Sequence, residues 1–410
     1  MAGGPRRATL AFIFASVALD VLALGVMIPV LPKLVVELTG GETPRAALIY
    51  GMFATLWAAM QFLCQPSLGA LSDRIGRRPV ILAANLGLAV DYVLMALAPN
   101  VAWLFVGRAI SGVLSAGGAA AQAYIADVTS PEARARGYGL IGAAFGLGFV
   151  LGPALGGVLG SVDPRLPFWV AAGLGLANFL FGLFVLPESL PRERRAARFE
   201  WRAANPFGAF AFLRAVPGLA PLAIAHFLQK LAHVALPATF VLYAHHRYGW
   251  DELRVGAALA AVGLVSAVAQ GALVRPAIAR LGERGLAVAG FAVGAASFLL
   301  SGVSAEALWF ALAIPLMGLW SLAAPAVTGL ASQSVGGEAQ GRLQGALGGL
   351  AGVAGIVGPG FFTLAFASGI DGSLGFDAPG LAFFAGAAML FAAAIVVART
   401  AQSSSSAGMR

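Results

Sequence analysis

The sequence is short of charge. Of its 410 residues only 11% are Asp, Glu, Lys or Arg, and 59% are hydrophobic. Soluble proteins carry about 25% charged residues, so a water-soluble globule is excluded and the chain is read as a polytopic membrane protein. Cysteine is nearly absent: Cys64 stands alone in an apolar run, which excludes an intrachain disulfide. Only four histidines are present, and His245-His246 lack the further ligands of a metal site. No Gly-Lys-Ser/Thr phosphate loop occurs, which argues against an ATP-driven pump. Ser301-Gly302-x-Ser304 lacks the strand–turn–helix setting of a hydrolase elbow. No enzyme activity, metal or cofactor is therefore expected. Short alternating segments of the porin kind are missing too, and the apolar runs are long and unbroken. No cleavable signal peptide is evident, because Arg6 and Arg7 precede a run long enough to span.

Twelve spans near the ~20 residues a bilayer needs can be placed: 8–30, 46–68, 79–97, 101–125, 137–160, 166–186, 219–243, 253–274, 285–303, 307–332, 341–367 and 379–398. Gly and Ala are abundant, as close helix packing in lipid requires. With both termini in the cytosol, 19 Lys and Arg fall on the cytosolic side and 5 on the other, with Arg108 and Lys230 inside spans. That asymmetry sets the orientation. The net charge of +8 thus reads as a topology signal and not as a nucleic-acid surface. The expected organisation is all-α: a six-helix bundle over 1–186, a cytosolic linker over 187–218, a second six-helix bundle over 219–398 and a disordered cytosolic tail over 399–410. The halves echo each other. Arg136, Gly139, Gly142, Gly146, Gly152 and Pro153 recur 206 residues later as Arg342, Gly345, Gly348, Gly352, Gly358 and Pro359, and Arg74 and Gly76 recur as Arg280 and Gly282. A register kept across such a series indicates a duplicated half, although no aspartate recurs at the place of Asp73.

The most organised stretch is Gly69-Ala70-Leu71-Ser72-Asp73-Arg74-Ile75-Gly76-Arg77-Arg78-Pro79. So dense a run of charge marks a water-facing hairpin between spans. Gly69 is expected to let two helices approach closely, Gly76 to permit a tight turn, and Pro79 suits a first helical turn. An ordinary topogenic loop would also be charged, but would not need this ordered spacing. Asp127, at the end of the fourth span and close to Arg134 and Arg136, is expected to join Asp73 and Arg77 in an ion-pair latch at the cytosolic face, with Arg74 and Arg78 beside it. Exposed pairs are worth about 0–1 kcal/mol each, so such a latch must act as a network.

Asp20 lies mid-span in the first span and Asp91 mid-span in the third. A charge at bilayer depth costs at least ~2.5 kcal/mol. A carboxyl that gains and loses a proton as a cavity changes its water access is a proton carrier; a neutral carboxyl bonding two helices is the plainer role. Arg108, in the fourth span, needs an anionic partner or a route to the interface. Gly146, Gly152, Pro153, Gly156 and Gly157 in the fifth span suit close packing and bending at a hinge, and ordinary small-residue packing leaves a similar pattern. His226, Gln229, Lys230 and His233 follow the 3–4 spacing of one face in the seventh span. Gln61 and Gln65 stand one turn apart in the second. His226, Gln229, His233, Gln61 and Gln65 are the substrate-binding candidates, with helix–helix hydrogen bonding as the other role open to them.

These residues resemble a known family. Gly69-x2-Ser72-Asp73-Arg74-x-Gly76-Arg77-Arg78-Pro79 is similar to the signature loop of major facilitator transporters, and the fifth-span glycine–proline pattern to that of their drug/H⁺ antiporters. Leu19-Asp20 with Ile28-Pro29-Val30-Leu31-Pro32, Asp91-Tyr92, Gly107-Arg108, Ala123-Tyr124-Ile125-Ala126-Asp127 and Gln340-Gly341-Arg342-Leu343-Gln344-Gly345 resemble the tetracycline/H⁺ antiporters. The resemblance runs over nearly the whole chain and is strongest in the first half. It implies a proton-driven antiporter in the bacterial inner membrane, exporting a small amphipathic, tetracycline-like drug by alternating access. Asp20, Asp91 and Arg108 would then serve proton coupling, and Asp73, Arg77 and Asp127 the gate. Protons, a small-molecule substrate and the bilayer are the implied partners, with no nucleic acid, the protein acting as a monomer. A symporter or exporter of another metabolite, and a non-transporting receptor or scaffold, are the competing readings. One departure matters: spans eight to ten contain no internal acid, Glu306 being at an edge, which counts against recognition of a tetracycline–metal chelate.

Overall fold

The computed structural model describes residues 4–115, 118–128, 131–196, 210–373 and 375–407, with side chains throughout except at 4–13, 131–141, 210–211, 337 and 401–407. It is 88% helical, and the described residues hold no strand. In the first half the helices are α1 (Gly4–Met27), α2 (Leu31–Leu38), α3 (Thr43–Ile75), α4 (Arg77–Ala96), α5 (Val101–Ser115), α6 (Gly118–Val128), α7 (Pro131–Val162) and α8 (Leu166–Val185). The short α9 (Phe210–Ala215) falls within the stretch expected as the linker. Then come α10 (Leu219–Tyr248), α11 (Glu252–Val268), α12 (Val274–Val303), α13 (Ala307–Leu319), α14 (Ala323–Gln333), α15 (Gln340–Ile370) and α16 (Leu381–Ala407).

Eleven helical stretches among the described residues are long and apolar enough to cross a membrane. One of them, Glu252–Val303, is 52 residues long. It passes through a π-helical turn at Ala269–Leu273 and reverses at Gly282, where φ is 68° and ψ 167°. It therefore holds the expected eighth and ninth spans, which reconciles eleven stretches with twelve crossings. Gly282 permits the reversal because a residue with a Cβ rarely adopts that φ. The counterpart Gly76, at φ 109°, does the same between α3 and α4. Helix α16 continues through 399–407, the stretch expected to be a disordered tail; intrahelical hydrogen bonds alone suffice to carry a helix end onward.

Two compact units emerge. The first comprises residues 1–40, 56–206 and 251–260, and the second 41–55, 207–250 and 261–410. In the first unit α1 lies against α7 and α8, and α4 against α5 and α8. In the second, α10 lies against α15 and α16, and α12 against α13, α14 and α16.

Glycine sets how close these helices come. In α7, Gly148, Gly152, Gly156 and Gly160 repeat every four residues and face the first span. A Cβ on Gly148 would lie 2.6 Å from Val21 Cγ1, and one on Gly152 2.6 Å from Gly25 Cα. One on Gly156 would strike the Val26 carbonyl oxygen. The next face over carries Gly157, whose Cβ would sit 2.6 Å from the Glu252 carbonyl oxygen. Pro153 lies inside the helix as expected. Gly146 does not take part: among the described residues nothing lies within 4 Å of where its Cβ would be. The expectation for Gly146 is corrected, and Gly148 holds the place one half-turn on.

Candidate functional site

Three groups of polar residues stand out, two in the first unit and one in the second. The first lies between α1, α4, α5 and α8. Asn178, on α8, is fully buried. Its Nδ2 donates to Asp20 Oδ1 at 2.7 Å and to the Ser16 carbonyl oxygen at 3.1 Å. It thereby ties the Asp20 side chain to the backbone of α1 one turn earlier. Asp91, on α4, is 0% exposed; among the described residues no hydrogen bond of ordinary geometry reaches its carboxylate oxygens, although the Ser111 hydroxyl on α5 acts on it. A Cβ on Gly107 would lie 2.8 Å from Asp91 Oδ1, so the missing side chain at 107 makes room for the carboxyl. The neighbouring Arg108 is buried; its Nη2 donates to Met95 Sδ at 3.2 Å and its Nε has no partner. Arg108 acts electrostatically on Asp91, and both it and Asp20 act on the buried Tyr92. Two acids, one guanidinium and a phenol thus share the interior of one unit. Buried polar atoms left unmatched cost about 1–3 kcal/mol each until a proton, a water or a ligand meets them.

The second group is the charged hairpin where α3 meets α4. Arg77 is the hub. Its Nη2 pairs with Asp73 Oδ1 at 2.5 Å, its Nε with Asp127 Oδ2 at 3.2 Å, and its Nη1 donates to Ser72 Oγ at 2.6 Å. Ser72 Oγ in turn donates to the Gly69 carbonyl oxygen at 2.7 Å. The Arg77 amide, in the first turn of α4, donates to Glu188 Oε1 at 2.9 Å, a carboxylate favoured at a helix N-terminus. Glu188 also accepts from the Leu190 amide at 3.0 Å and pairs with Arg195 Nη2 at 3.6 Å. Ser189 Oγ donates to Asp127 at 3.1 Å, and the Ala196 amide to the Asp73 carbonyl at 2.9 Å. Arg78 Nη2 donates to the Leu183 carbonyl oxygen at 2.7 Å. Arg74 is exposed and makes no bond among the described residues. The expected trio Asp73, Arg77 and Asp127 is assembled, and sequence reading missed Ser72, Glu188, Ser189 and Arg195. Glu188 is 111 residues from Arg77, and no spacing rule connects them. The side chains of Arg134 and Arg136 lie outside those described. Gly69 requires correction: a Cβ there would meet nothing within 4 Å, so it is not a point of close helix approach. Its carbonyl, not its missing side chain, takes part.

The third group is in the second unit, on α10 and at the junction of α13 and α14. His226 and Gln229 are buried, while His233 is exposed along much of its side chain. The His233 ring lies 5.5 Å from that of Trp320. His226 Nδ1, Gln229 Oε1, Trp320 Nε1 and Ser321 Oγ have no hydrogen-bond partner. On the expected face of α10, His226 and Gln229 thus each keep a buried polar atom unpartnered, while the exposed His233 meets Trp320. Gln61 is half-buried and Gln65 exposed on α3, in residues belonging to the first unit. Trp320 went unread because a tryptophan in an apolar run looks like core.

Charged and polar groups held at depth among twelve apolar crossings define a membrane transporter of small molecules, and not an enzyme. Residues 10–359 match the Major Facilitator Superfamily, and the chain belongs to that family. It is 38% identical over 378 residues to the class C tetracycline resistance protein of Escherichia coli, covering 92% of this chain and 93% of that one. It is 36% identical over 353 residues to the class D protein of Salmonella ordonez, covering 85% and 87%. The crystal structure of the human organic anion transporter MFSD10 aligns with a TM-score of 0.71 at 25% identity, over 96% of this chain and 99% of that one.

Proposed function

We propose that the protein is a proton-coupled antiporter that exports a small amphipathic, tetracycline-like drug from the bacterial cytosol across the inner membrane by alternating access, working as a monomer with both termini in the cytosol. The observation that carries this reading is the group formed in the first unit by half-buried Asp20 with buried Asn178, Asp91 and Arg108. Intramembrane acids are functional by default, and the match to the class C tetracycline resistance protein covers 92% of the chain. Asp20, steadied by Asn178, and Asp91, beside Arg108, would load protons from outside. Drug loading from the cytosol would follow their release, so protons and drug occupy the carrier in alternation. Energy would come from the proton gradient with no cofactor.

Inverted membrane vesicles with an imposed outward proton gradient, proton-rich in the lumen, test this. Tetracycline uptake should follow the gradient in the parent protein and fall at least tenfold in Asp20→Asn or Asp91→Asn. If both variants take up drug at the parent's rate, the coupling assignment is wrong.

A further inference from the structure

We propose that the second unit carries an anion-receiving subsite centred on Lys230, and that the compound moved is an amphipathic aromatic anion whose acidic group docks there. The proposal rests on the transport reading above and specifies the substrate class.

Lys230 is one of two lysines in the chain. The other, Lys33, has an ion-pair partner in Glu252. Lys230 has none: among the described residues no carboxylate lies within ion-pair distance, and no acid perturbs it electrostatically. It sits well inside the 30-residue α10, about 16 Å from its start at 1.5 Å per residue. A cation held at that depth marks a substrate or ion path. The second unit has no acid to match it there. Glu283 is bonded to Gln333 Nε2 at 2.9 Å just past the Gly282 reversal in α12, and Glu306 flanks the start of α13.

The surroundings of Lys230 suit a negatively charged aromatic compound. It acts electrostatically on His226, one turn before it, and on His233, about one turn after. Trp320 is 2% exposed, and its Nε1–H has no acceptor; Ser321 Oγ, next to it, has no partner either. An ammonium, an indole N–H and a hydroxyl are a donor set for carboxylate or enolate oxygens. Gln229 Oε1, unpartnered on a residue 4% exposed, can accept from a hydroxyl or amide on the same compound. The Trp320 ring lies 5.3 Å from that of the fully buried Phe298, which backs it. A cationic amphiphile would leave Lys230 unmatched and repel it. A cationic metal chelate would find no carboxylate at this subsite.

The test uses full-length protein in lipid nanodiscs and three probes sharing one ring system: 2-naphthoate, its neutral amide, and 2-naphthylmethylammonium. Naphthoate is expected to bind at least tenfold more tightly than the other two. Lys230→Gln should abolish that preference, and Lys230→Arg should keep it within about threefold. Equal binding of acid and amide by the parent protein overturns the proposal, and this comparison needs no variant to fold. A preference that survives Lys230→Gln in monodisperse protein overturns it equally. Gradient-driven tetracycline uptake is measured on vesicles carrying the same protein. Uptake without any acid preference removes the subsite and leaves the exporter; a Lys230-dependent preference without driven uptake removes the exporter and leaves the subsite.

Discussion

Arg77 is held on three sides at once by Asp73, Asp127 and Ser72. A lysine is a point charge on a flexible stem and cannot satisfy three directions in a plane. Arg77→Lys is therefore expected to destabilise the protein nearly as much as Arg77→Ala, by about 1.5–3 kcal/mol, the range for hydrogen bonds to charged groups. Thermal unfolding of purified protein checks this, and a Lys variant melting with the parent would count against the hub. Asn178 is a second residue whose worth lies in geometry. Leucine of similar size would leave Asp20 Oδ1 and the Ser16 carbonyl without their donor. Asn178→Leu should lower stability by about 1–3 kcal/mol, and a melting temperature within a degree of the parent's would refute it. The two residues differ in legibility. Arg77 stood out because charge in an oily chain is rare; Asn178 did not, since a lone asparagine in an apolar span carries no spacing that links it to a carboxylate 158 residues earlier.

At the scale of the element, α7 shows how a four-residue glycine period becomes a packing surface. A methyl at Gly156 would collide with the backbone oxygen of Val26, which cannot swing aside as a side chain would. Gly156→Val is expected to cost upward of about 1–3 kcal/mol, as overpacking does, and to reduce the yield of folded protein. Gly146, on the same helix, faces open space. Gly146→Ala should be neutral or stabilising by up to about 1 kcal/mol, because alanine is the better helix former. Parallel size-exclusion profiles and melting curves separate the two, and equal damage from both would mean that the packed face is misassigned. That α7 is glycine-rich was plain from composition. Which glycines touch a neighbour depends on the helix's rotation against α1, and a linear pattern holds two overlapping candidate faces.

At the scale of the whole molecule, the duplicated half survives in geometry beyond what the residues show. Gly76 and Gly282, 206 apart, both turn with positive φ. Arg78 donates to a carbonyl of α8, and its counterpart Arg284 to the Ala398 carbonyl of α16. The places of Arg77 and Asp127 are taken by Glu283 and Gln333, which bond at 2.9 Å. The second hairpin, where no aspartate stands in the place of Asp73, keeps the Gly282 turn and a cross-helix bond with a single charge in place of an ion pair. The first unit also takes in residues 251–260, through the Lys33–Glu252 pair and the close passage of Gly157 past Glu252. Lys33→Glu or Glu252→Lys alone should cost about 1–3 kcal/mol, since Glu252 is buried and Lys33 partly exposed. The double reversal should recover most of it. A double variant no more stable than the singles would show that the pair contributes nothing.

Crossing number, the duplicated half, the charged hairpin and the acids at depth were all determined by the amino-acid order. Each is a local or periodic property: a run's length, a repeat's register, a charge where hydrocarbon forbids one. Only the tertiary structure decided that Glu188 seats the start of α4, that Asn178 holds Asp20, and that Trp320 faces the polar side of α10. Those pairings join residues roughly 90 to 160 positions apart, and helix rotation, which no one-dimensional pattern encodes, selects which side chains meet.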